Sequence, residues 1–361
     1  MNIKLDVSIG EAIDKFSILS IKLNKVNKNK LVEVLNEFDT IKQQVQPYVD
    51  SNSYQYKLLL NINEEIWNLQ DIFRSKYSTN LNDTTLCDLA MQIIQKNDQR
   101  FRIKNKINIL CKTSLKEQKG YNDKKLLVFP HSGMGDYLTV FGAIRQLSLD
   151  YDEVKLVVVN KYLDSVKFMY RDDPTITFLP IERTEDFSPN FGNHRDYIKD
   201  YIESGYIYKG CFQHKIGFNH NYNTPIPFWE IFYSDLDLDY NSYRWKFNFN
   251  RDLIRESNFY NQNKPDSSYV FIHHNSINYI DFDYLSPKTL FNPDKCNVVS
   301  NIIMDYSIII ENAEEIHILD SSFYCLCNYL DLSRVKQKVV YTRCHNLETY
   351  TRQTGWIVKH L

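Results

Sequence analysis

Residues 125–138 read KLLVFPHSGMGDYL, and this stretch decides how the chain folds. From Lys125 to Phe129 the run is apolar without alternation, the pattern of a strand covered on both faces and so of a parallel sheet. It breaks at Pro130 into a turn with two glycines one residue apart, in a chain that has only ten glycines among 361 residues. Asp136 follows at once, and then a stretch with helical spacing. Strand, glycine turn and helix form the first part of a βαβ unit, whose loop lies at the sheet edge where α/β proteins collect ligands. The turn is not a P-loop, because no Lys-Ser/Thr pair ends it, and it lacks the third glycine of a dinucleotide fingerprint.

Downstream, the β-rich runs VKLVVV (154–159) and ITFLPI (176–181) alternate with helix-like YLTVFGAIRQLSL (137–149) and KYLDSVKFMY (161–170). Residues 183–250 are less regular and crowded with aromatics and histidines. A second series follows: strand SYVFIHH (268–274), helix VVSNIIMDYSIIIENA (298–313), strand EIHILD (315–320), helix SSFYCLCNYLDL (321–332), and strands KVVYTR (338–343) and WIVKHL (356–361). Such alternation predicts parallel βαβ units. Upstream of the first strand the periodicity is helical almost throughout, with Ile13, Phe16, Ile18, Leu19 and Leu23 on one face and Leu58, Ile62, Ile66, Leu69 and Ile72 on another. A second helix should end at Pro47, and a fourth carries the basic run KNDQRFRIKNK (96–106), whose charges suit a solvated face or, less simply, an anionic ligand. The expected domains are an all-helical bundle or hairpin over 1–118, a Rossmann-like half over 119–250 and a second over 251–361.

Composition narrows the function. A formal charge of −2 and hydrophobic and charged shares of 43% and 24% describe an ordinary globular chain and exclude a general binder of nucleic acid. Seven cysteines lie without framework spacing, and Cys325-x-Cys327 falls in an apolar stretch, so buried reduced thiols are expected. The first residues have no apolar core of a signal peptide, and no run approaches the ~20 residues that span a bilayer, so a cytoplasmic location is expected.

Candidate chemistry follows the strand ends. After the first strand come His131, Ser132, Gly133, Gly135 and Asp136; the aspartate either caps the helix or accepts a proton from a substrate hydroxyl. After SYVFI come His273, His274, Asn275 and Ser276, a surface loop or donors to a phosphate or base. After EIHIL come Asp320, Ser321 and Ser322, where a serine caps a helix or two hydroxyls and free N–H groups cradle a diphosphate. Arg343 ends a strand, to neutralise phosphate or form a surface ion pair. The acidic pairs Asp281-x-Asp283 and those of SDLDLDY (234–240) do not follow convincing buried strands, and no metal is expected. In the aromatic segment, His220 and Asn223 are candidates for bonding sugar or acceptor hydroxyls beside Trp229, Tyr222 and Phe228, which serve equally as core.

From about residue 124 onward the chain resembles GT-B glycosyltransferases, and its opening is similar to the heptosyltransferase-like group. The resembling residues are the strand LLVF, the turn Gly133-Met134-Gly135-Asp136, Arg145 in GAIRQL, DPTITFLPI, and EIHILDSSFYCL. Phe141-Gly142 departs from the Thr-Pro common in the group. The resemblance implies two Rossmann-like GT-B halves and a sugar moved from a nucleotide-sugar donor to an acceptor hydroxyl. It also implies Asp136 as general base, an inverting and metal-independent course, and no cofactor beyond the donor. Gly133, Gly135, His273, His274, Asn275, Asp320, Ser321, Ser322 and Arg343 would then hold the nucleotide sugar. The stretches VSIGEAIDKFSILSIKL, INEEIWNLQDIFR and KNDQRFRIKNKIN resemble a bacterial helical family of unknown function, which suggests a module that positions an acceptor or builds a homo-oligomer. The alternative expectation is a non-catalytic GT-B-like scaffold that works through its helical domain.

Overall fold

The structure is a computed structural model; it describes residues 5–77, 83–115, 117–120, 122–131, 133–182, 195–214, 226–274, 280–343, 347 and 350–361. The chain divides into two compact units. The first comprises Met1–Asp123 with Ser148–Asp152 and Asp172–Thr175, and the second is the remainder.

The first unit is built on α1 (Ile9–Lys25), α2 (Lys28–Ser51), α3 (Ser53–Tyr77) and α4 (Asp83–Leu110). Ser8 caps α1 by accepting the Glu11 N–H at 3.1 Å. The core contains Ile13, Phe16, Leu19, Ile62 and Ile66 of the predicted faces, with Leu59, Ile103 and Ile107; Ile18, Leu23, Leu58 and Leu69 are half-buried and Ile72 is exposed. Two expectations change here. Pro47 does not stop α2, which runs on to Ser51. Pro47 is exposed and one turn from the end, so the Gln43 carbonyl it leaves without a helical donor faces water. The basic run of α4 is neither a solvated face nor an anion site: Lys96 pairs with Glu65, Arg102 with Asp152, Lys104 with Glu11 and Glu117, and Lys106 with Asp173. Carboxylates distant in sequence neutralise it, and Lys106 and Asp173 are only 1% and 3% exposed.

The second unit is α/β and holds two parallel sheets. The first contains β1 (Lys125–Phe129), β2 (Glu153–Val159), β3 (Ile176–Ile181) and β4 (Tyr206–Gly210) in the order β3-β2-β1-β4. Between these strands run α5 (Met134–Thr139), α6 (Phe141–Asp150), α7 (Leu163–Met169) and α8 (Arg195–Glu203). After β4 come α9 (Phe228–Asp235), α10 (Tyr240–Tyr243) and α11 (Leu253–Asn263). The second sheet contains β5 (Tyr269–His273), β6 (Thr289–Phe291), β7 (Glu315–Leu319), β8 (Gln337–Thr342) and β9 (Trp356–His360) in the order β6-β5-β7-β8-β9. Its helices include α12 (Ser307–Glu311) and α13 (Ser322–Cys327). Every pairing in both sheets is parallel. The architecture is therefore an all-α region followed by two Rossmann-like halves, as the patterning predicts.

The strand orders fix where ligands can approach. In the first sheet the chain runs outward from β1 through β2 to β3 and then returns to the other side of β1 as β4. In the second it runs from β5 out to β6 and returns beside β5 as β7. The carboxyl ends of β1/β4 and of β5/β7 are thus topological switch points, where diverging connections leave a crevice. Both halves belong to one compact unit, and they touch there: a Cβ built on Gly135 of α5 would lie 3.6 Å from the Ser322 nitrogen of α13. The Tyr329 hydroxyl donates to the Leu138 carbonyl at 3.2 Å, joining the halves beside it. Gly142 stands where the backbone demands it, since a Cβ would fall 2.2 Å from the Tyr243 carbonyl oxygen. Among the described residues no helix is long and apolar enough to cross a membrane.

Candidate active site

At the first switch point the β1 turn delivers His131 and Asp136. Asp136 occupies the third position of α5, and its Oδ2 accepts the Gly133 N–H at 2.8 Å. It thus caps its own helix from inside. The same oxygen meets His131 Nδ1 at 2.8 Å. Side-chain exposures of 30% for His131 and 18% for Asp136 leave both open to a ligand. The two glycines now have separate explanations. A Cβ at 133 would crowd Asp136 Oδ2 at 3.1 Å, so its absence admits the returning carboxylate. At 135 the open side faces the Ser322 backbone and the Cys325 Sγ, so the space lets the two halves of the unit approach closely.

The turn after β4 adds a residue that sequence reading did not select. His214 is fully buried and stacks on Phe129 with ring centroids 3.7 Å apart. Burial first, and nearby His131 second, lower its pKa to about 3, so it is neutral at physiological pH. Its ring lies 5.5 Å from that of His131, and Phe212 and Phe232 complete the wall at 5.9 Å each. The signal was present in YIYKGCFQH (206–214), a short β-rich run ending in polar residues, but it lay inside the stretch that reads as irregular.

The second switch point brings together residues from two loops. Ser321 is the N-cap of α13 by position, yet its hydroxyl makes no capping bond and instead meets His273 Nδ1 at 3.3 Å. His273 packs on the Phe323 ring at 4.6 Å, and burial lowers its pKa to about 4. It meets a ligand as a neutral donor or acceptor, not as a cation. Asp320 accepts the Thr342 hydroxyl at 3.0 Å, and burial raises its carboxyl above the ordinary range. Ser322 opens α13, whose first-turn N–H groups have no acceptor within the helix. His274 lies beside Phe282, and Arg343 is exposed just past β8.

Ser132, His220, Tyr222, Asn223, Asn275 and Ser276 lie outside the described residues. Trp229 is core, with no exposed surface. The acidic pairs are occupied structurally. Asp281 accepts the Asp283 N–H within a turn, Asp235 accepts the Phe212 N–H, Asp237 pairs with Lys209, and Asp239 caps α10. Among the described residues no group of three or more His, Cys, Asp or Glu is placed to hold a metal ion.

A family model described as a family of unknown function, DUF6165, matches residues 3–137, which span the four helices, β1 and the turn carrying His131, Gly133 and Asp136. No curated protein matches the sequence. Among solved structures the chain is similar to a family 9 glycosyl transferase from Veillonella parvula, with 9% identity over 68% of this chain and 89% of that one and a TM-score of 0.42. It is also similar to the E. coli heptosyltransferase WaaC with ADP, with 11% identity over 65% of this chain and 90% of that one and a TM-score of 0.34.

Proposed function

We propose that the α/β unit is a glycosyltransferase that moves a sugar from a nucleotide-sugar donor to an acceptor hydroxyl. The observation that carries the reading is the meeting of two switch-point loops: one holds a carboxylate–imidazole pair, and the other neutral hydrogen-bonding groups around the first turn of α13. The first suits removal of a proton from an acceptor, and the second suits a nucleotide diphosphate. The Asp136–His131 pair is the proton-accepting centre. The acceptor oxygen attacks the anomeric carbon as the bond from that carbon to the diphosphate oxygen breaks, a single displacement with inversion. Arg343, Ser321, Ser322 and the first-turn N–H groups of α13 receive the leaving diphosphate without a metal. His273 and Asp320 orient the donor by hydrogen bonds, with His274 beside them.

The test is a thermal-shift panel of ADP, UDP, GDP and CDP and their common sugar conjugates. A ligand at 100 times its Kd stabilises the folded state by about 2.7 kcal/mol, which a melting curve resolves. One base is expected to raise the melting temperature, and the Ser321→Ala/Ser322→Ala double variant is expected to lose most of the rise. A flat response at millimolar nucleotide would sink the reading. A second reading, a scaffold acting through its helices, draws support from exposed apolar residues of the helical unit such as Val32, Met91 and Ile94, at 66%, 54% and 54% exposure. A flat panel would transfer the weight to it.

A further inference from the structure

We infer that Nε2 of His131 is the atom that takes the acceptor proton, with Asp136 as its positioning residue; this rests on the transferase reading above. The hydrogen-bond inventory leads there. Asp136 Oδ2 already accepts the Gly133 N–H, so it faces His131 Nδ1 at 2.8 Å as an acceptor, and we assign the ring proton to Nδ1. Nε2 is then left with its lone pair. Asp136 Oδ2 is itself pinned by the Gly133 N–H at 2.8 Å, so the ring is oriented by a group that the backbone holds. The imidazole is the more exposed member of the pair, 30% against 18%, and so the one that an incoming hydroxyl reaches first.

Charge around the ring suits the role. Among the described residues, the titratable groups that face it are Asp136 from α5 and His214 from the turn after β4, while Phe212 and Phe232 bring none. Burial holds His214 neutral, and Asp136 Oδ2 lies 2.8 Å from the ring, placed to stabilise the imidazolium formed in the step. In the balanced step the acceptor O–H proton moves to Nε2 and the oxygen bonds to the anomeric carbon. The carbon–phosphate oxygen bond breaks, and the nucleoside diphosphate leaves with the electron pair.

The full-length protein decides the matter. Nucleoside diphosphate release from UDP-glucose, ADP-glucose and GDP-mannose is followed across roughly pH 5 to 9, a window that spans histidine titration. His131→Ala is expected to lower kcat by about 10²–10⁴-fold with little change in KM, and to abolish the acid limb of the kcat profile. Asp136→Asn should lower kcat to a similar degree, and the double variant should be no worse than the poorer single, because the pair acts as a unit. Nitrogen-15 NMR of labelled histidine should show the Nδ1–H tautomer for His131 in the wild type and its loss in Asp136→Asn. An Nε2–H tautomer, or a His131→Ala enzyme within about threefold of wild type that keeps its acid limb, overturns the inference and leaves Asp136 acting alone. A wild type that neither binds ADP, UDP or GDP nor releases them removes the transferase reading and this inference together.

Discussion

Acidification should unfold the α/β unit through His214 in particular. Its folded pKa is lowered to about 3 by burial and by His131, whereas an unfolded histidine titrates near ~6.5. Below pH ~6.5 the unfolded chain therefore binds a proton that the native state refuses. The stabilisation is complete above that pH and is lost as pH falls. Each unit of the descent costs about 1.4 kcal/mol, so from pH ~6.5 to ~5 this residue removes about 2 kcal/mol. Because the side chain has no exposed surface, solvent does not screen the effect. His214→Phe keeps an aromatic ring against Phe129 and cannot titrate. Urea unfolding by tryptophan fluorescence suits the measurement, since Trp229, Trp245 and Trp356 all lie in this unit. The variant's absolute stability is expected to change through packing, so the quantity to compare is the loss between pH 7 and 5 within each protein. Wild type should lose about 2 kcal/mol more than His214→Phe. Equal losses would show that His214 takes up a proton in place, and the account of a neutral ring beside His131 would fail with it.

Lys106→Met leaves Asp173 buried without its cation and should cost the helical unit about 3–5 kcal/mol, with partial recovery on adding Asp173→Asn; a thermal melt showing under ~1 kcal/mol would contradict the burial. Gly142→Ala should destabilise by about 1–3 kcal/mol despite the better helix propensity of alanine, because the Tyr243 carbonyl must move, whereas Gly135→Ala, with only ordinary contacts of 3.5–3.7 Å, should be nearly neutral. Asp320→Asn should stabilise the α/β unit at neutral pH and lose that advantage in acid. The native state holds this proton more tightly than the unfolded chain, so wild-type stability falls as pH rises through the carboxylate range. A pH-independent difference between the two proteins would refute that assignment.

Continuous apolar strands were the readable part of the fold, because KLLVF, VKLVVV, ITFLPI, EIHIL and KVVYT need no partner to reveal themselves. Strands β4 and β6 escaped: YIYKG alternates toward a half-exposed edge, and TLF is too short to carry a period. Helices shortened for a related reason. The stretch 298–313 is apolar enough to read as one helix, yet only Ser307–Glu311 is α-helical, after a 3-10 turn. At the site, Asp136, His273 and Ser321 were legible as residues that follow strands. Their partners were not, since the contact of Ser321 with His273 spans 48 positions and the stacking of His214 on Phe129 spans 85. Residue type also misled on charge. The basic run of α4 reads as a surface because its acids lie in remote segments, among them Glu11, Asp152 and Asp173.

The same distinction between residue type and environment shapes the second switch point. Its histidine and aspartate suggest a charged site, but burial disfavours charge on both: it lowers the His273 pKa to about 4 and raises that of the Asp320 carboxyl. The nucleotide proposed to bind there would meet His273, Ser321 and Ser322 as hydrogen-bonding groups without charge. Among the residues assigned to the site, Arg343 brings a full positive charge, on an exposed side chain that salt screens and whose long stem loses entropy on engagement. Affinity for a diphosphate should therefore depend more on the Ser321 and Ser322 hydroxyls and the first turn of α13 than on ionic attraction. It should fall only weakly with salt. A steep salt dependence of nucleotide binding, abolished by Arg343→Gln, would place the burden on the arginine and contradict this reading of the environment.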